Sequence, residues 1–474
     1  MQRTTVRQTQ SWESALSGLE RVREVAQRDK EARFTNLLTH VTYESLLASY
    51  NSLRKNAAPG VDGVTWGQYE GRAETRLREL HEEVHKGTYR AQPSKRTYIP
   101  KADGKQRPLG IASLEDKIVQ HAVCKVLEAV YETDFMGFSY GFRPGRSQHQ
   151  ALDALWVGLM NHKVNWILDV DIRGYFDNVS HEWLMKIIGH RVADPRIQRL
   201  IRKWLRAGVS EGGEWSRTDK GTPQGAVASP LLANVYLHYV FDLWANQWRK
   251  KKAGGEVIII RYVDDIVVGF QYKDEAERFL KELEERVKKF GLELHPEKTR
   301  LIEFGRFAAS NRLERKQGKP ETFDFLGFTH ICSETREGKR FIVKRETIAK
   351  RMTAKLKEVK ETLKRNRHEP VEKLGEWLNR VVRGYFNYHA VPGNSFKLSA
   401  FRILIVRIWY KALKSRGQRS RMNWKRFGPL ADYWIPKALI LHPYPSVRFY
   451  ARHPKQEPYA VMPHVRICAG GGYE

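Results

Sequence analysis

Hydrophobic and polar positions along this chain repeat with two periods, and the changes of period mark its elements. From Val257 to Phe270, two apolar, β-branched runs (Val257-Ile258-Ile259-Ile260 and Ile266-Val267-Val268) flank Asp264 and Asp265. Runs of this kind favour strands, so the segment predicts a hairpin with the two aspartates at its tip. Trp166-Ile167-Leu168-Asp169-Val170-Asp171-Ile172 predicts another strand, with Asp169 and Asp171 on one face and Leu168, Val170 and Ile172 on the other. Tyr98 to Ile111 predicts a second hairpin, turning at Asp103-Gly104.

Elsewhere the spacing is helical. Ser113 starts a helix whose apolar face is Ile118, Val119, Ala122, Val123, Val126, Leu127 and Val130. A helix is expected near Ser180, and another is capped by Asp194 with Pro195 at its first position. Ala276, Phe279, Leu280, Leu283, Val287 and Phe290 predict an amphipathic helix closed by Gly291. Further helices follow from Ile348, Met352, Leu356 and Leu363, and from Leu374, Trp377, Leu378, Val381 and Val382. Leu16, Leu19, Val22 and Val25 suggest one more in an otherwise polar start.

Composition narrows the class. A chain of 474 residues predicts two or three domains. A formal charge of +29 favours polyanionic partners, nucleic acid above all. Residues 341–420 hold roughly 20 Lys and Arg against about 6 Asp and Glu. No run approaches the roughly 18 apolar residues of a membrane span, and the first residues do not read as a signal peptide. Cys124, Cys332 and Cys468 form no CxxC pair, which fits reduced thiols and excludes a zinc ribbon or knuckle. The 13 Trp, 20 Tyr and 20 Phe suffice for sizeable cores, with some left to stack on bases.

Candidate chemistry centres on the carboxylates. Adjacent aspartates suit any turn. Here, however, two strands that read as buried hold negative charge at a fixed point of a basic chain, and such carboxylates need a cation. An acid from the 166–172 strand beside the hairpin would make a cluster suited to two Mg²⁺ ions. Lys101 and Arg107 would stand close across the Tyr98–Ile111 hairpin, where they suit a triphosphate or simply solvent. Ser139-Tyr140-Gly141-Phe142-Arg143-Pro144-Gly145-Arg146-Ser147 could grip a backbone or be a surface turn. Gln224, flanked by Gly221 and Gly225, could hydrogen-bond a nucleotide without adding charge, although a Pro-Gln-Gly turn alone says little.

Tyr262-Val263-Asp264-Asp265, with Asp171 five residues before Phe176, resembles the reverse transcriptase palm. The wider pattern is similar to the bacterial group II intron-encoded reverse transcriptase/maturase branch, or to its free-standing relatives. The similarity covers nearly the whole chain and is strongest from Lys55 to Phe328. It implies an α+β right-hand polymerase, with fingers and a palm built on antiparallel sheet backed by helices, then an α-helical thumb and a basic C-terminal segment. The expected divisions are 1–85, an N-terminal extension and the start of the fingers; 86–340, fingers and palm; 341–420, the thumb or maturase domain; and 421–474, a basic aromatic nucleic-acid-binding segment.

The resemblance also implies site roles. Asp171, Asp264 and Asp265 would be the catalytic and metal-binding acids, with Asp169 in a supporting place. Lys101, Arg107, Phe176 and Gln224 would bind the dNTP, Phe176 excluding a 2′-hydroxyl. Arg143, Arg146, Lys298, Leu326 and Gly327 would meet primer and template. Two Mg²⁺ ions, an RNA template, a DNA or RNA primer, dNTPs and a structured intron RNA would be cofactors and partners. The setting would be bacterial cytoplasm, on the nucleoid when DNA is bound. No endonuclease with paired cysteines is expected. An RNA-binding maturase with little polymerase activity, or a free-standing enzyme of DNA repair or phage defence, are the alternative readings.

Overall fold

A computed structural model of the chain describes residues 18–100, 106–222, 225–335, 338, 340–417 and 422–452. Lys101, Gln224 and Cys468 lie outside the described residues. The fold mixes helices with mainly antiparallel sheets. Its strands are β1 (Ser94–Pro100), β2 (Gln106–Ile111), β3 (Trp166–Val170), β4 (Val209–Glu211), β5 (Glu214–Ser216) and β6 (Val257–Tyr262). After these come β7 (Asp265–Phe270), β8 (Arg300–Glu303), β9 (Phe323–Phe325), β10 (Phe328–Glu334) and β11 (Phe341–Thr347). Three sheets result, ordered β2-β1-β4-β5, β6-β7-β3-β8 and β11-β10-β9. Among the described strands, only β1 and β4 pair in parallel.

The β6-β7-β3-β8 sheet is covered on both faces. Leu168, Val170, Ile259, Val268 and Phe270 share a core with Phe279, Leu283 and Val287 of the helix Lys273–Lys289. Ile167, Ile258, Ile260, Val267 and Ile302 share another with Leu152 and Leu155 of the helix Gln148–Asn161. A strand buried on both faces has no polar side to alternate with, which accounts for the unbroken apolar runs around the two aspartates. The strand expected over 166–172 stops at Val170, and Ile172 makes only an isolated bridge to Leu294. Asp171 therefore sits just beyond the sheet, where backbone leaves the ladder.

The helices follow their caps. Asp194 accepts from Arg196 N at 2.9 Å and also from Leu38 N at 2.9 Å, so it starts the helix Pro195–Arg206 and fastens the N-terminal segment to it. The helical run Ser229–Lys251 contains a π turn at His238–Asp242. Such turns add a residue to one coil and re-aim side chains, and here Asp242 ends fully buried.

Four helices, Ala349–Arg365, Val371–His389, Ser395–Lys414 and Trp424–Trp434, close on a third core that includes Leu363, Leu378, Phe401, Trp409 and Phe427. The helix Pro445–Arg452 instead returns to Gln148–Asn161, placing Phe449 in the second core. Buried Asp153 is the knot there. It accepts from Arg345 of β11 at 3.1 Å and from Arg448 of the returning helix. Cys124 and Cys332 are free thiols. Among the described residues, no helix is long and apolar enough to cross a membrane.

Candidate active site

β6 and β7 pair Tyr262 with Asp265, leaving Val263-Asp264 as a two-residue turn. Val263 takes φ +61, the sign that tight hairpin turns demand and that a β-branched residue resists. Its surroundings hold it there. A Cβ on Gly141 would lie 2.3 Å from Val263 Cγ2 and 2.6 Å from its N, so only glycine permits this approach. Arg261 donates to Val263 O at 3.1 Å, to Asn234 Oδ1 at 3.0 Å, and to both oxygens of Asp242 at 2.6 Å. Both members of that ion pair are fully buried. Burial alone would raise the Asp242 carboxyl, but the Arg261 guanidinium and His238 outweigh it and hold it below the usual range.

The turn delivers two carboxyls with different exposures. Asp264 is half-buried, and burial raises its pKa against the opposing pull of Arg107 and Arg261, with Asp171 adding to the rise. Asp265 reaches solvent as the first residue of β7, yet the surrounding protein still pushes it up to about 6. Asp264 and Asp171 raise it further, and Arg351 opposes them. Asp171 is pinned through its backbone, accepting from His295 N at 2.8 Å, while Lys298 Nζ lies 3.3 Å from its Oδ2. Asp171 thus acts on both carboxyls of the turn, although among the described residues no three His, Cys, Asp or Glu side chains converge closely enough to hold a metal.

Asp169 is partnered by Arg300 at 3.7 Å and pushed up to about 7, chiefly by burial, with Asp265 and Asp171 contributing. A folded-state pKa above the unfolded value means stability that is present below about pH 4 and lost as pH rises through about 7. Asp169→Asn should therefore gain stability relative to the parent protein as pH is raised from 5 to 8. Melting curves of the metal-free pair across that range check this; a constant difference would overturn it.

Other expected residues fall as follows. Phe176, on the short helix Tyr175–Asn178, is half-buried, and its carbonyl accepts from Thr222 N at 2.7 Å. Arg107 is exposed on β2, with its charge felt at Asp264. Arg146 is half-buried over the Tyr140 ring. Arg143 belongs to the same loop as Arg146. Its guanidinium turns inward to Glu132 at 2.6 Å and to the carbonyls of Met136 and Ser139, so it fastens the loop and offers no free fork to a backbone. Leu326 and Gly327, at φ +44 and +86, form the tight turn between β9 and β10. Their carbonyls accept from Tyr388 Oη at 2.7 Å and Ile348 N at 3.2 Å.

Sequence reasoning missed several neighbours. Arg351 opens the helix Ala349–Arg365, and its Nη1 comes within 3.0 Å of where a Gly327 Cβ would stand. Phe142, 54% exposed at φ +52, stands at the tip of the Arg143 loop. The Arg261–Asp242 pair also went unseen. Only its lone arginine among apolar strand residues could have signalled a buried partner.

Residues 99–330 match the family model described as reverse transcriptase (RNA-dependent DNA polymerase). The chain is 37% identical to Protein YkfC of Escherichia coli (strain K12) over 47% of its own length and 60% of that protein's. It is 36% identical to the group II intron-encoded protein LtrA of Lactococcus lactis subsp. cremoris, over 46% of its own length and 37% of that protein's. Nuclear intron maturase 4, mitochondrial, of Arabidopsis thaliana is 25% identical over 43% of the chain and 25% of its own length. The chain thus spans less than two thirds of each of these relatives, from 25% to 60% of their length. By these matches, residues 99–330 are similar to the reverse transcriptase family, and the relatives they resemble include a group II intron-encoded protein and an intron maturase.

Proposed function

We propose that the chain is an RNA-templated DNA polymerase of the right-hand type, with an N-terminal extension and the start of the fingers over 1–85, fingers and palm over 86–340, a thumb over 341–420, and a basic nucleic-acid-binding segment over 421–474. The observation that carries the reading is the sheet edge. Asp264 and Asp265 stand there with raised pKa values, Asp171 adds to both rises, and a lysine already sits on Asp171. Carboxylates held against their ionisation invite a hard cation, and the donors fit Mg²⁺, which takes oxygen ligands and keeps waters. Asp171, Asp264 and Asp265 would hold it. Bound there, it would supply activation of a primer 3′-hydroxyl and charge relief on the leaving pyrophosphate.

The chain's own groups do the rest. Arg107, with Lys101 and Gln224, would receive the incoming triphosphate beside Asp264. Arg146, the Leu326-Gly327 turn and Lys298 would meet the template and primer backbones, with Arg351 reaching the same turn from the next helix. Lys298 would trade its Asp171 contact for the primer when a metal binds. The basic helices beyond 349 expose Phe396, Trp424 and Tyr433, a mixture suited to a structured RNA. The name of LtrA, a group II intron-encoded protein, makes intron RNA the reasonable candidate.

Primer extension on an RNA template with dNTPs and Mg²⁺ tests the reading. Within that assay Phe176 should act by bulk, its ring lying under the sugar. Phe176→Val should raise use of ribonucleotides relative to deoxyribonucleotides by about tenfold or more. Competition between the two in single-nucleotide addition measures this, and unchanged discrimination would reduce Phe176 to a packing residue.

A further inference from the structure

Away from the carboxylate edge, the helices His181–Gly189 and Pro195–Arg206 and the segment 217–219 enclose a groove of about 530 Å³. That volume lies within the roughly 300–1,000 Å³ of small-molecule sites. Met185 and Leu205 supply apolar lining, and Lys186, Arg202, Arg206 and Arg217 stand among its walls with Glu182 and Asp219. The two acids are already engaged, Glu182 by Lys186 at 2.6 Å and Asp219 by Arg217 at 3.0 Å. Two guanidiniums are left over. Arg202 donates to the neutral Gln198 at 3.2 Å, and Arg206 has no partner among the described residues.

Arg202 and Arg206 are four residues apart, so they share one helix face, where like charges repel. A phosphate between them would relieve that repulsion and accept two-pronged hydrogen bonds. The apolar lining beside them suits the flat face of a base. The groove also touches the polymerase segment. His181 Nε2 lies 2.7 Å from Gly221 O, and the next residue, Thr222, donates to Phe176 O.

We propose that this groove binds a phosphorylated nucleoside, as a site separate from the carboxylate edge. The ligand is either a free nucleotide or one unit of an unpaired strand, since both offer a base and a phosphate. Occupancy would press on the Gly221-Thr222 backbone and so reach Phe176. The binding itself does not rest on the polymerase reading and survives its failure.

The test is equilibrium dialysis of the full chain in EDTA, without primer or template, against radiolabelled ATP and, separately, a labelled short oligothymidylate. Arg202→Glu with Arg206→Glu should weaken binding by about tenfold or more, and Arg202→Lys with Arg206→Lys should restore most of it. Both pairs are exposed, and circular dichroism checks their folding. Loss of ATP binding in the Glu pair identifies a free nucleotide. Loss of oligothymidylate binding alone identifies a strand. Equal binding by the parent and the Glu pair, or no binding of either probe, overturns the site.

Discussion

Asp264→Asn should lower RNA-templated extension by several orders of magnitude while leaving the protein folded. The expectation follows from where the carboxyl stands. Asp264 occupies the second place of a two-residue turn, half-buried, with its ionised form disfavoured by burial. Asparagine keeps the shape and removes a charge that the fold tolerates only at a cost, so the metal-free protein should melt at or slightly above the parent temperature. Catalysis should respond in the opposite sense, because a neutral amide is a poor ligand for a hard cation and the charge that gathers it is gone. Single-turnover extension and a melting curve on one preparation separate the two effects. Near-normal extension would remove Asp264 from the reacting centre.

The largest effect on stability should come from behind the turn. Asp242→Ala is expected to destabilise the protein by about 3–5 kcal/mol, because it leaves the Arg261 guanidinium buried without its counter-charge. Asn234 and the Val263 carbonyl would remain as neutral acceptors, which cannot replace a two-pronged carboxylate. Replacing both partners together, Asp242→Leu with Arg261→Met, should recover most of that stability, since apolar side chains of similar size carry no desolvation cost. Yet the double variant should extend primers poorly. Val263 would then lose the hydrogen bond that Arg261 donates to its carbonyl, leaving only its packing against Gly141, and Asp264 would be less firmly placed. Denaturant unfolding of the three proteins reads the first effect, and extension reads the second. A single variant within 1 kcal/mol of the parent, by the same yardstick for buried pairs, would show that the pair is solvated in solution.

Local pattern carried the elements well and the partnerships poorly. The apolar runs at Val257–Ile260 and Ile266–Val268 became β6 and β7 because burial on both faces leaves no other pattern. Asp194 starts its helix and Gly291 closes another as capping chemistry demands, Gly291 at φ +74. Alternation put Asp169 and Asp171 on one face but could not show that the strand stops between them, which depends on Leu294 and His295 far along the chain. Arg143 reads like a backbone-gripping arginine in any loop. Its inward turn is decided by Glu132, eleven residues earlier at the end of a helix. Arg351 and Tyr388 reach the β9–β10 turn from helices whose docking no periodicity specifies.

Asp153 carries a consequence for the order in which this protein comes into being. Its two arginines follow it by 192 and 295 residues. A ribosome adding about 5–20 residues per second needs roughly 15–60 s to travel from Asp153 to Arg448. Through that interval the carboxylate lacks one or both cations, and sealing it in the core would be unfavourable. The helix Gln148–Asn161 must then wait with its charged face open, although its immediate neighbours in sequence are already made. Completion of the molecule is thereby postponed until the four helices between Ala349 and Trp434 have left the ribosome. A nascent chain stalled short of Arg448 would be protease-sensitive at 148–161 even with every aspartate of the sheet edge in place.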